Sequence, residues 1–144
     1  MSTIRDILDL KGVNVLTINS NAPVLEAIGT MSEANVGAIV IQDGNQPSGI
    51  FTERDYLRKI ALEGRSSSDT AVSQVMSSPL ITAKSDESTR NAMETMTEKR
   101  CRHLVVVDDT GMVGIVSLGD LVKHLLNEKE AEVEQLSSYI SGNY

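Results

Sequence analysis

Two short arrangements of a hydroxyl and a carboxylate carry the most chemistry in this sequence: Thr52-x-x-Asp55 and, 65 residues on, Ser117-x-x-Asp120. Each follows a Gly-Ile pair, Gly49-Ile50 and Gly114-Ile115, with one apolar residue between. The spacing fits a capping box, in which the hydroxyl accepts a hydrogen bond from a first-turn N–H and the carboxylate reaches back. It equally fits a ligand site. A helix N-terminus offers N–H groups and positive dipole, and a short Asp beside it accepts two hydrogen bonds from a ribose diol. One such box is ordinarily a cap; duplication of the whole unit favours the ligand. A second constellation is Cys101 with His103, at i and i+2, so that in a strand both point to one face. A thiol–imidazole pair there lacks a third, orienting group. One Cys and two His (His103 and His124) are too few for a structural zinc site.

The elements that must position these residues form a repeat. The offset of 65 holds without a gap from Thr17 against Thr82 to Ile60 against Leu125, with 11 identities in 44 positions. Composition alone predicts roughly 3, so the chain is a duplication. Each copy reads β-α-β-β-α. Apolar positions 4, 7, 8 and 10 predict a leading helix over Ile4 to Leu10, opened by Ser2 or Thr3 and ended at Gly12. Loose alternation from Val13 to Ile18 predicts a strand around Val15 to Thr17. Asn21 is the predicted cap of the next helix, with Pro23 in its first turn and Val24, Leu25, Ala27, Ile28 and Met31 on its buried face. Strands at Gly37 to Ile41 and Ser48 to Phe51 flank the turn signal Asp43-Gly44-Asn45, and Thr52 opens a helix over Glu53 to Leu62. The second copy predicts a short helix at Val72 to Met76 and a strand at Leu80 to Thr82. Ser85 is the predicted cap of a helix reaching about Glu98, which buries Ala92, Met93 and Met96. Strands at His103 to Val107 and Met112 to Val116 join through Asp109-Thr110-Gly111. A last helix from Ser117 runs on past the repeat, with Leu126, Val133, Leu136 and Ile140 forming a side for a partner or for its own chain. The expected fold class is therefore α/β (α+β): residues 1–62 as one repeat, 63–71 as linker, 72–127 as the second repeat and 128–144 as a helical extension.

At 144 residues, 40% hydrophobic, the chain is long enough to bury one proper core. Aromatics are only 3%, without Trp, so that core is aliphatic and stacking platforms for single-stranded nucleic acid are missing. A net charge of −7 argues against neutralising a phosphodiester backbone, although a few local cations suffice for one or two phosphates. The lone Cys101 fits a reducing compartment, and neither an apolar leader nor a membrane-spanning run is present. The sequence reads as soluble and cytoplasmic, with no nucleic-acid or membrane partner.

The doubled β-α-β-β-α order with G-I-x-[TS]-x-x-D at each hairpin exit resembles a tandem pair of CBS domains, or Bateman module, over about Ile4 to Asn127, as in stand-alone members from bacteria and plant organelles. TERDYLRKI and CRHLVVVD are its more specific stretches. The resemblance implies two pseudo-twofold-related repeats whose clefts bind AMP, ADP or ATP, or in some members NAD or S-adenosylmethionine, without catalysis or a required cofactor. It places ribose carboxylates at Asp55 and Asp120, hydroxyls at Thr52 and Ser117, and hairpin residues at Ile50 and Ile115. The adenine side falls at Leu16 and Ile81, at Val36, Gly37 and Ala38, and at Cys101, Arg102 and His103. Phosphate contacts fall on Arg102 and His103, with Arg54 and Lys11 as further candidates; Gly37-Ala38 in the first repeat makes the two clefts unequal. Regulation through a homodimer and a protein target of unknown identity is the implied mode of action. The alternative is a ligand-independent scaffold that regulates a partner enzyme.

Overall fold

The computed structural model describes residues 2–12 and 14–141. Helix α1 (Ile4–Lys11) starts where the Thr3 N–H donates to the Asp6 carboxylate at 2.9 Å, and stops at Gly12, whose φ of 91° suits glycine. It buries Ile4, Ile7 and Leu8, whereas Leu10 is 79% exposed. Strand β1 is Thr17–Ile18, later than expected, because only these residues pair in parallel with Val40 and Ile41. Of the expected Val13 to Ile18 stretch, Val13 lies outside the described residues.

Helix α2 (Val24–Ala34) corrects two expectations. Its N-cap is Pro23, not Asn21, since the Ala22 carbonyl is already held by the Val72 N–H at 2.8 Å and the chain turns helical only beyond that tie. Val24, Ala27 and Met31 share the stripe facing the sheet, and Leu25, about 100° round the helix, is 54% exposed. Strands β2 (Ala38–Asp43) and β3 (Gln46–Thr52) form a hairpin around Gly44-Asn45. Thr52 does cap the following helix, but α3 (Glu53–Asp55) is a single turn that widens into i→i+5 winding over Tyr56–Ala61.

In the second half, a 3₁₀ turn at Val72–Gln74 replaces the expected short helix, and β4 is Thr82–Ala83. Ser88, not Ser85, caps α4 (Thr89–Lys99), accepting from the Asn91 N–H at 3.0 Å. Ser85 is held elsewhere: its hydroxyl donates to Asp108 at 2.6 Å and its N–H at 3.0 Å. The Ser20 N–H meets Asp43 in the same way in the first half, at 3.0 Å. Strands β5 (His103–Asp108) and β6 (Gly111–Ser117) lead into α5 (Leu118–Ser141). The result is a mixed α/β fold with two three-stranded sheets, ordered β1-β2-β3 and β4-β5-β6.

The two halves exchange their leading segments. Ile4, Ile7 and Leu8 of α1 belong to the core of the second sheet, with Leu104, Val106, Val116 and Leu121. Val72 and Val75 reciprocally complete the first core, with Ile39, Ile41 and Phe51. This exchange explains the repeated glycines. A Cβ on Gly49 would lie 2.4 Å from Met76 Sδ and 3.1 Å from the Ser77 carbonyl, and one on Gly114 would lie 2.7 Å from Leu8 Cδ2. Each glycine admits the crossing segment against β3 or β6.

Candidate functional site

A cleft of about 460 Å³ opens where the two halves meet, within the range of small-molecule sites. It gathers nine residues singled out from the sequence: Gly37, Ile50, Thr52, Arg54 and Asp55 from the first repeat, and Ile81, Cys101, Arg102 and His103 from the second. Sequence reasoning missed Arg58, Lys59, Ser77 and Arg100, which also line it. Arg58 and Lys59 lie a turn beyond the Thr52-x-x-Asp55 motif, a signal that helical spacing makes available.

Asp55 forms the floor and is nearly buried. Its Oδ2 accepts from the Thr52 N–H at 3.1 Å and the Thr52 hydroxyl at 3.2 Å. Its Oδ1 accepts from the Ser77 hydroxyl at 2.9 Å and faces Lys59 Nζ at 3.1 Å. All four lone-pair positions of the carboxylate are therefore engaged. The capping box is real, and it faces the cleft as well. The first-turn donors are less free than the sequence suggested: the Glu53 N–H is taken by the Gly37 carbonyl at 3.1 Å and the Asp55 N–H by the Thr52 hydroxyl at 3.2 Å.

The mouth is cationic. Arg54, Arg58, Arg100 and Arg102 line the cleft, and among the described residues none of their side chains makes a hydrogen bond or ion pair. Lys59 is spent on Asp55 and on the Val75 carbonyl at 3.0 Å. Among the described residues Glu53 is the one other carboxylate lining the cleft, lying across Gly37, where a Cβ would fall 2.8 Å from its Oε1.

The second corner is built alike but occupied differently. Ser117 donates its N–H to Asp120 Oδ2 at 2.8 Å and accepts from the Asp120 N–H at 3.1 Å. Lys11, expected as a phosphate contact, instead reaches Asp120 Oδ2 at 2.7 Å and donates to the Ile115 carbonyl at 3.0 Å. Burial pushes the Asp120 carboxyl up, but Lys11 and the Ser117 donors outweigh it and hold the group below its ordinary range. Leu16 packs on the first core, Ala38 is buried in β2, and Val36 lies on a separate groove beside α2. None of Lys11, Leu16, Val36, Ala38, Ile115, Ser117 and Asp120 lines the arginine-bearing cleft.

Burial pushes the Cys101 thiol up, against weaker hydrogen bonding from the His103 N–H, so it stays protonated at neutral pH. Burial pushes His103 down, partly offset by the Asp120 charge, so it stays neutral. A thiolate–imidazolium pair has no support in either group. Among the described residues no cluster of His, Cys, Asp and Glu is arranged to hold a metal, and no helix is long and apolar enough to cross a membrane.

The model of the CBS domain matches residues 4–62 and 72–127. The CBS domain-containing protein CBSX3, mitochondrial, of Arabidopsis thaliana is 40% identical over 152 residues, covering 99% of this chain and 74% of that protein. The crystal structure of the CBS-domain containing protein ATU1752 from Agrobacterium tumefaciens superposes with a TM-score of 0.81 at 35% identity, over 85% of this chain and 98% of that one. The CBS domain pair of protein MJ0100, solved in complex with 5'-methylthioadenosine and S-adenosyl-L-methionine, superposes with a TM-score of 0.76 at 26% identity, over 90% and 98%.

Proposed function

This chain belongs to the CBS-domain family, as a tandem pair of its domains, and we propose that it binds one adenosine-containing ligand per chain in the cleft between its halves and regulates a partner according to that occupancy. The carrying observation is the cleft itself: a carboxylate from one repeat and the β5 start of the other face the same 460 Å³. Neither repeat makes that space alone. The adenosine compounds bound by the MJ0100 pair support the ligand class.

In this reading the adenine ring lies between Ile50, Ile81 and the Cys101 to His103 backbone, and the ribose diol donates to Asp55. The Ser77 hydroxyl must then yield its place on Oδ1, one hydroxyl donor replacing another, at little net cost. A ligand that bridges both repeats favours one relative arrangement of them by its differential affinity, which is the whole signal. No step of bond making or breaking is involved.

Titration calorimetry of the full chain with adenosine, AMP, ATP, NAD and S-adenosylmethionine tests the reading, alongside Asp55→Asn, which keeps one carbonyl acceptor for the helix cap. Binding that Asp55→Asn weakens at least tenfold is expected. Heat from none of these compounds, or indifference to the substitution, overturns it.

A second reading, association through α5, has its own observation. Leu126, Val133 and Ile140 recur every seven residues with Leu136 between, and all four are exposed. Light scattering should report a homodimer at micromolar concentration, and Leu136→Glu should dissociate it.

A further inference from the structure

We infer that the exposed end of α5 docks on a second copy of this chain, in the groove between α2 and α3, so that two copies exchange helices in a closed dimer. The inference rests on the association through α5 read above and names the surface that α5 meets.

Neither the helix end nor the groove has a partner within the chain. α5 packs on α1, α4 and β6 and buries Leu121, yet from Lys129 to Ser137 every side chain is exposed. This stretch lies beyond residues 72–127, where the second CBS domain ends. The groove holds about 900 Å³, with Ile28 and Val36 on one wall and Arg54, Tyr56, Leu57 and Arg58 on the other. Val36 and Leu57 are exposed in it. An exposed apolar strip rimmed by charge marks a surface that another protein covers.

Two short patterns then match. α3 and its continuation carry Arg54-x-x-Leu57-Arg58, and α5 carries Glu130-x-x-Val133-Glu134. In each, an apolar side chain stands between two like charges four residues apart, on one helix face. The charges are opposite. Among the described residues these two arginines and two glutamates make no hydrogen bond or ion pair, whereas the neighbouring Lys129 and Glu132 hold each other at 3.4 Å. Seated in the groove, Val133 and Leu136 cover Val36 and Leu57 while the carboxylates meet the guanidinium forks. A seam of α5 against α5 would instead flank Val133 with glutamates from both copies, which repel.

The occupant follows from the helix itself. α5 is unbroken over 24 residues, about 36 Å, so its end reaches such a groove on another copy and not on its own. Each copy carries both helix and groove, so a twofold axis makes two identical contacts at once and closes the pair. Gly37, Glu53, Arg54 and Arg58 line this groove and the cleft alike, so the docked helix shares a wall with the cleft.

The test is analytical ultracentrifugation of the full chain with Leu57→Glu, in the groove and outside the cleft, and Leu136→Glu, on the helix. Both side chains are exposed, so melting temperatures should be unchanged. Each substitution should weaken dimerisation at least about tenfold. An equimolar mixture of the two variants should associate more tightly than either alone, because one intact helix then meets one intact groove. Wild-type association should weaken as salt rises, and Glu130→Gln with Glu134→Gln should remove most of that dependence. A dimer that Leu136→Glu dissociates and Leu57→Glu leaves intact, or a mixture without recovery, overturns the groove and spares association through α5. A monomeric wild type, or a dimer indifferent to both substitutions, overturns both.

Discussion

Replacing Lys11 by Met separates the two corners most sharply. Methionine keeps the apolar stem and removes one ammonium, so the loss is that of the 2.7 Å contact to Asp120 and the 3.0 Å bond to the Ile115 carbonyl. The paired side chains are 34% and 26% exposed, which places the interaction between a screened surface pair and a desolvated one. A destabilisation of about 1 kcal/mol follows, or roughly 2–4 °C in melting temperature at this chain length. The sign with pH is fixed by Asp120. Its folded pKa lies below the unfolded value of about 3.9, so its contribution is fully present above that value and fades as pH falls through the folded one. Urea titrations of wild type and Lys11→Met should therefore differ at pH 7 and converge toward pH 3, and the gap should shrink in 1 M salt. A stability deficit that persists undiminished at pH 3 and in high salt would mean that Lys11 acts by packing, and the electrostatic account of the second corner would fail.

Ser77→Ala should tighten adenosine binding by about 2- to 10-fold, because it frees a lone pair on Asp55 Oδ1 that the ribose otherwise has to win; calorimetry showing weaker binding would make Ser77 itself a ligand contact. Cys101 should alkylate slowly at pH 7, its thiol being pushed up by burial, and a bound adenosine compound should slow iodoacetamide further because the residue lines the cleft; the rate is readable by mass spectrometry. Phe51→Ala, at a fully buried side chain in the first core, should cost about 3–5 kcal/mol in urea unfolding. Asp43 and Asp108 are both held below their ordinary range by hydrogen bonds, from Ser20 and from Ser85 respectively, so stability should fall as pH drops through their folded values. Ser85→Ala should blunt the Asp108 part of that acid transition.

The repeat was legible because its signals are local. Short apolar runs and the turns at Asp43-Gly44-Asn45 and Asp109-Thr110-Gly111 located the two hairpins, and Thr52-x-x-Asp55 located a true helix start. What escaped the sequence depends on partners far along the chain. Asn21 and Ser85 have the right chemistry to cap, but Ala22 is tied to Val72 and Ser85 to Asp108, so each helix begins later. Leu10 and Leu25 are apolar and exposed because the neighbouring stripe already fills the sheet face. The exchange of α1 and the Val72 turn between halves has no signature in either repeat alone; the structure shows it, with Met76 against Gly49 and Leu8 against Gly114. At the site, the resemblance led to the carboxylate and the β5 start. It did not lead to Arg58 or Arg100, which reach the cleft from opposite halves.

Duplication preserved the backbone devices and let the side chains they carry diverge. The glycines at 49 and 114, the hydroxyl–Asp boxes and the left-handed helix ends at 35 and 100 match in place and geometry. The divergent positions are those whose side chains leave this frame at the two corners: Arg54 against Gly119 and Lys59 against His124. In one corner a carboxylate is balanced from its own helix and from the crossing segment by Lys59 and Ser77, which leaves four arginines free at the mouth. In the other, the crossing segment itself brings the cation, and His124 turns to Glu128 at 3.1 Å instead. The same fold thus carries one corner whose cleft is lined by unpaired arginines and one closed by its own lysine. This asymmetry is carried on a frame in which α1 and the Val72 turn anchor each half in the other's core.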